Sequence, residues 1–229
     1  MMPAAALLYR QGHVSPANKT YALRLGADAF FGTSISPKSS AAIRTLMEQS
    51  KLVVEIPDVP ELPWLRAVTA DADAIPVSDP DRSYLSETAT AVVSDTGEFQ
   101  RDFERGIFSV DTARSQIIAG WVGDEDITLS SIRLSLETPV GAIAVQSLDG
   151  KPIDTSRKIM ISVASRSVPL GKDQVAYRQE PLQGQLRIRA HPDLRLKQPR
   201  KPAASHTVTG RDHVIDLAGL AGANWLLLE

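Results

Sequence analysis

The clearest pattern in the chain lies in its second half. Between positions 91 and 165 short apolar stretches recur at brief intervals: TAVVS, FQRDF, IFSVDT, SQIIAGWVG, ITLSSIRLSLE, GAIAVQSLD and RKIMISVAS. TGE, ERG, GDED, ETPVG and DGKP separate them, and these are turn-forming residues. In SIRLSL the alternation is strict. Ile132, Leu134 and Leu136 fall on one face, Ser131, Arg133 and Ser135 on the other, the signature of a half-buried antiparallel strand. Leu186 and Ile188 alternate with Arg187 and Arg189 in the same way. RLKQPRKPAASHTV is basic and proline-containing and reads as an exposed connector. DHVIDLAGL and NWLLLE close the chain as strands, the last needing a partner to bury Trp225 and its leucines.

The first half is less regular. AALLYR and KTYALRLG read as strands, in a segment over 3–34 that looks extended. SPKSSAAIRTLMEQSK predicts a helix with Ser36 at the N-cap, Pro37 at the first helical position, and Ala42, Ile43, Leu46 and Met47 on one face. Pro57, Pro60 and Pro63 punctuate residues 52–65; no central strand tolerates that, so a short strand and then a linker are expected. Residues 66–90 are acidic and rich in Ser, Asp and Pro and read as surface loop. The expected fold is therefore mainly β: an antiparallel, jelly-roll-like β-sandwich over 91–229, a loop-rich connector over 66–90, and an amino-terminal section over 1–65 whose strands and one short helix pack on the sandwich.

Bulk properties narrow the classes. A net charge of −2 over 229 residues points to neither nucleic acid nor acidic lipid. The absence of cysteine removes disulfides, thiolate metal sites and a cysteine nucleophile. No apolar run approaches the roughly 18 residues that span a bilayer, and MMPAAALLYRQGH lacks the basic region of a secretory signal. The expectation is a soluble chain, cytoplasmic as written, or secreted if part of a longer precursor.

Asp95-Thr96-Gly97 spells the catalytic tripeptide of aspartic proteases. A protease site needs two carboxylates sharing one proton, with a small residue after the glycine. Glu98 stands there instead and would add charge beside the dyad. The sequence reads better as a hairpin turn, with Gly97 supplying positive φ and Asp95 capping backbone amides. A glycosidase-type carboxylate pair could be drawn from Glu98 with Asp102, Glu104 or Asp111, although most acids in a chain with 27 of them are solvated surface. His206, Asp212 and His213 could form a two-histidine, one-carboxylate metal site, without matching a tight motif; flanking histidines on a hairpin are the simpler reading. No nucleophile elbow and no glycine-rich phosphate loop is found. No cofactor is expected.

The stretches Ser94–Glu98, Val110–Gln116 and Ser147–Ile161 together resemble the carboxyl-terminal β-sandwich region of large bacterial (β/α)8-barrel glycoside hydrolases, where SDTGE, VDTPRSQ and SLDGKPI..SRKILI recur after the catalytic barrel. PAAALLYRQGHVSPANKTYAL is similar to the segment just after such a barrel. The likeness covers 1–25 and 91–165; Ala113 stands where that pattern has proline. It implies an accessory region. The catalytic glutamates of that family would sit on barrel strands that these residues do not include, so no catalytic residue carries over.

The resemblance makes sugar contact a question. Sugars stack on exposed aromatic rings, with planar polar groups orienting their hydroxyls. Trp64 and Tyr84, in the loop-rich section, are the candidate platforms; Trp121, after the apolar QIIAG, and Trp225, in an apolar tail, are assigned to the core. The leading expectation is a non-catalytic accessory β-sandwich of a glycoside hydrolase. It would pack on a catalytic barrel, with polysaccharide or oligosaccharide as candidate ligand and neither nucleic acid nor membrane as partner. The alternatives are a free-standing carbohydrate-binding module and a small stand-alone glycoside hydrolase using paired carboxylates. An exposed aromatic strip favours the module, and a cleft with two close, partly buried acids favours the hydrolase. An apolar patch near 1–10 and 220–229 favours the accessory region.

Overall fold

A computed structural model describes residues 2–24, 40–55, 73–79, 82–123, 125–171, 177–198, 205–220 and 224–229. Strand outweighs helix, 46% against 11%, so the protein is mainly β, consistent with a sandwich carrying a short helix. Two compact units are present, one of residues 1–14 with 105–229, the other of 15–104.

Within the smaller unit, β1 (Thr20–Arg24) is followed by α2 (Ala41–Gln49) and β2 (Lys51–Glu55), and β3 (Ile75–Pro76) lies on the other side of β1. Both pairings are parallel. Parallel neighbours need a long crossover, commonly a helix, and between β1 and β2 the chain contains α2. The helix begins later than the sequence suggests. Ser40, not Ser36, is the N-cap, and its hydroxyl accepts from the amide of Ile43 at 3.2 Å. Ser36 and Pro37 lie outside the described residues, as do Pro57, Pro60 and Pro63. Ile43 and Leu46 are buried, whereas Met47, expected on the same face, is 59% exposed. The stretch 66–90, read as loop, contributes β3. β4 (Ala91–Val93) and β5 (Phe99–Asp102) pair antiparallel around the Asp95-Thr96-Gly97 turn.

The larger unit opens with α1 (Met2–Arg10), where AALLYR reads as a strand. Ala and Leu are strong helix formers, and Ala4 and Leu8, four apart, are its buried pair. A short apolar run does not announce its period, which is how it passes for a strand. Next come β6 (Ile107–Asp111), β7 (Ser115–Trp121), β8 (Asp126–Thr128), β9 (Ile132–Leu136), β10 (Val140–Ser147), β11 (Ile159–Ser165), β12 (Ser167–Pro169), β13 (Tyr177–Gln179), β14 (Gly184–Arg189), β15 (Leu196–Lys197), β16 (His206–Thr209), β17 (Asp212–Asp216) and β18 (Trp225–Leu228). One sheet of this unit runs β15-β18-β11-β10-β7-β6, the other β16-β17-β14-β9-β8. Their pairings are antiparallel.

Ile118, Ile143, Val145, Ile159, Ile161, Leu226 and Leu228 from the first sheet share one buried cluster with Ile132, Leu134, Leu136, Leu186, Ile188 and Ile215 from the second. Arg133, Ser135, Arg187 and Arg189 point away from it, so both alternations legible in the sequence hold. Leu226 and Leu228 are fully buried, and β18 finds its partners in β11 and β15.

The connection between β10 and β11 is organised by one carboxylate. Asp149 accepts from the hydroxyls of Ser147 (3.0 Å) and Ser156 (2.8 Å) and from the amides of Lys151 (3.2 Å) and Arg157 (2.8 Å). Partial burial pushes this carboxyl up, but those four donors outweigh it and hold the pKa at about 2. A folded-state pKa below the unfolded value of about 3.9 contributes stability above that value, which is lost as pH falls through the folded pKa. Asp149→Asn should therefore be less stable than the parent at pH 6 by about 1 kcal/mol, after discounting the shift for solvent exposure. The gap should close between about pH 4 and pH 2. Urea unfolding across that range checks it; a gap that stays constant to pH 2 contradicts the assignment.

Candidate functional site

The acids singled out by the sequence are occupied in holding backbone. In the smaller unit, Glu98 accepts from the amide and hydroxyl of Ser15 (2.7 and 2.9 Å), and Asp95 from the amide of Lys19 at 2.7 Å. Asn18 donates to the Asp95 carbonyl at 2.9 Å. The SDTGE turn thus clamps the segment that leads into β1. Gly97 has φ of 73° with open space where a Cβ would sit. Gly97→Val should cost roughly 1–3 kcal/mol from backbone strain alone. Asp95→Asn should be mild, since its carbonyl still accepts. Thermal melts of the two variants test both statements, and equal losses would contradict the turn reading. Asp102 lies on β5, and Glu104 is exposed.

In the larger unit, Asp111 accepts from the amide (3.0 Å) and hydroxyl (2.8 Å) of Ser130, pinning the start of β9 to the end of β6. The Val110–Gln116 stretch makes the tight β6–β7 turn through Thr112, whose hydroxyl and amide both donate to the Ser115 carbonyl. Each stretch that carries the resemblance is thus a turn or clamp in this structure.

His206 and His213 pair with each other. The His213 ring is buried; its Nε2 lies 2.9 Å from the His191 carbonyl, which can only accept, so Nε2 carries the proton. Nδ1 of His213 then accepts from Nε2 of His206 at 3.0 Å, with the rings stacked at 5.2 Å. Burial, then His213 and Arg195, pull the His206 pKa below its ordinary value. Asp212, one residue from His213 along a strand, faces the other way, toward Arg187 at 3.7 Å. Both nitrogens of His213 are thus engaged, and among the described residues no group of three His, Asp or Glu could hold a metal ion.

One contact that sequence reasoning missed joins α1 to the first sheet. Ser115 Oγ lies 2.7 Å from Nδ1 of His13 and 3.0 Å from Nε2 of Gln146, which also donates to the Ala4 carbonyl. Ser115 and Gln146 are fully buried and His13 is 3% exposed. Burial, then Arg114, lower the His13 pKa. The pairing has a nucleophile-and-base composition, but no substrate reaches a sealed hydroxyl. It anchors the helix.

The aromatic side chains lie elsewhere than expected. Trp121 is 65% exposed and Trp225 44%; neither is core. In β7 and β18 the inward residues are Ile118, Leu226 and Leu228, and successive residues alternate faces, which puts both tryptophans on the outer face. Tyr84 is half-buried, edge-on to Tyr21 at 5.7 Å. Trp64 lies outside the described residues.

The seat of Trp121 is built by two glycines. A Cβ on Gly106 would lie 2.6 Å from Cδ1 of Trp121, so the indole rests against the Gly106 α-carbon. A Cβ on Gly120 would lie 2.0 Å from the Gly106 carbonyl oxygen, and that oxygen accepts from the Trp121 amide at 3.1 Å. Beside it, registers align Phe108, Ala119, Ala142 and Ala164 across β6, β7, β10 and β11. Phe108 is 37% exposed and the three alanines are half-buried. The next row, Val110, Ile117, Ala144 and Ser162, is buried. Open ground on this face is therefore a low alanine floor with Phe108 and Trp121 at its margin.

Searches against known proteins find no matching family model, no matching curated relative and no matching solved structure. Among the described residues no helix is long and apolar enough to cross a membrane.

Proposed function

We propose that this protein is a non-catalytic β-sandwich that contacts polysaccharide through the outer face of its first sheet, with Trp121 as the stacking platform. The reading places it as an accessory region of a glycoside hydrolase, a role that rests on the sequence resemblance. The observation that carries the contact is Trp121, two-thirds exposed yet seated on a glycine whose backbone approaches Gly120 too closely for any side chain. A ring seated against backbone keeps one face open to a sugar and has little freedom to lose on stacking. The acids argue against catalysis. Glu98 and Asp111 each accept from a backbone amide and a hydroxyl, which occupies their oxygens in holding the fold.

Affinity electrophoresis through gels cast with plant and bacterial polysaccharides tests the contact. At least one polymer should retard the parent protein, and Trp121→Ala should migrate as if the polymer were absent. Retardation that survives this substitution would remove Trp121 from the role. The same preparation should not hydrolyse aryl-glycosides or the retarding polymer. Turnover lost in Glu98→Gln, Asp102→Asn or Asp111→Asn, with the fold kept, would make the chain an enzyme.

A further inference from the structure

The second sheet carries a different kind of surface. On its outward face Arg133 of β9 and Arg187 of β14 are direct cross-strand partners, each slightly over half exposed (54% and 53%). Like charges directly opposite in an antiparallel pair repel, a cost that the flanking acids Asp126 and Asp212 offset in part. The acids nearby do not fill the gap. Asp126 meets Nη2 of Arg133, leaving four of five guanidinium N–H groups to other partners. Asp212 forms an ion pair with Nη1 of Arg187 at 3.7 Å, and both acids stand on the flanking strands β8 and β17 rather than between the two guanidiniums. In the adjoining row Ser135 and Gln185 are also direct partners. Asp126, Arg133, Ser135, Gln185 and Arg187 together line a groove of about 250 Å³. It continues through Gln185 into a second hollow of about 350 Å³ beside Glu137, Gln183 and Asp216.

We propose that this groove binds a carboxylate, held between the guanidiniums of Arg133 and Arg187. Arginine forks match the planar carboxylate geometrically. The hydroxyl of Ser135 donates to Asp126 and can still accept, and the amide of Gln185 supplies both a donor and an acceptor beside it, which suits a uronic acid unit better than a bare anion. Asp126 at one end of the groove and Glu137 and Asp216 in the adjoining hollow accept hydrogen bonds from hydroxyls and repel a carboxylate, which orients the ligand with its charge between the two arginines. This site lies on the opposite sheet from Trp121 and does not depend on stacking there.

The test is titration of the full chain by isotope-edited NMR at low ionic strength, with glucuronate, glucose and acetate as probes. Glucuronate should shift the amides of β9 and β14 saturably, with a Kd on the order of millimolar, and glucose, which differs only by the carboxylate, should not. Acetate distinguishes the sources. Binding at least ~10-fold weaker than glucuronate means a sugar-borne carboxylate, and equal binding means the groove takes the free anion. Arg187→Gln should abolish the shifts while its Tm in ligand-free buffer changes little, because relief of the cross-strand repulsion offsets loss of the exposed Asp212 ion pair. Trp121→Ala should leave them intact. No saturable shift with either anion, or shifts that persist in both Arg187→Gln and Arg133→Gln, would overturn the proposal.

Discussion

Gly120→Ala should destabilise the protein by about 3–4 kcal/mol, near the upper end for a single methyl group. Two costs combine. Gly120 has φ of 128°, a region open to glycine and closed to L side chains. The added Cβ would also sit 2.0 Å from the Gly106 carbonyl oxygen. That atom belongs to backbone and accepts from the Trp121 amide, so the clash cannot be relieved by a rotamer. The entry to β6 must shift, and with it Ile107, which stands opposite Gly120 and belongs to the buried cluster. Gly97→Ala is the internal control. Its φ is 73° and a Cβ there meets nothing within 4 Å, so it should cost only about 1 kcal/mol. Urea denaturation of both variants separates the terms. Equal losses would mean that the close approach at Gly106 is not a constraint.

Trp121→Ala should leave stability nearly unchanged, since most of the ring is in water. It should weaken polysaccharide binding by about 2 kcal/mol, roughly thirtyfold in Kd. Trp121→Phe should recover part of that, because a smaller ring still offers a stacking face. Trp225→Ala should matter little, since Trp225 lies in register with Ser162 of the buried row rather than with the open alanine floor. Quantitative retardation across a polymer concentration series orders the three variants. An order in which Trp225→Ala is the most damaging would move the platform to the other margin of the sheet.

Where one face of a strand is polar, the sequence discloses the structure. Ile132, Leu134 and Leu136 alternate with charged or hydroxyl side chains, and burial follows the alternation to the last residue. Where both faces are apolar, it does not. Ile117 and Ile118 are both buried, so QIIAGW offers no way to tell which parity faces the sandwich core. Counting in twos from Ile118 puts Trp121 outside; without that anchor the run reads as core throughout. The parallel pairing of β1 and β2 was hidden for another reason. Parallel register depends on a crossover through residues far apart in sequence, and neither TYALR nor KLVVE carries a local mark of its partner's direction. The α1 helix was lost to brevity, since it has nine residues and its buried Ala4 and Leu8, four apart, fit either period. The turn at Asp95 and Gly97 was readable because turn chemistry is local. What it clamps, the Ser15–Lys19 segment, is a distant contact and was not.

The position of β18 sets an order of events. It lies between β11 and β15, and Leu226 and Leu228 stand opposite Ile161 and Ile159. During synthesis β11 emerges long before its partner does, and until residues 225–228 leave the ribosome its apolar edge, Ile159 to Ile161, has no strand to pair with. An unpaired apolar edge invites pairing with another chain. Nascent chains stalled before Trp225 should therefore bind holdase chaperones, and release should coincide with emergence of β18.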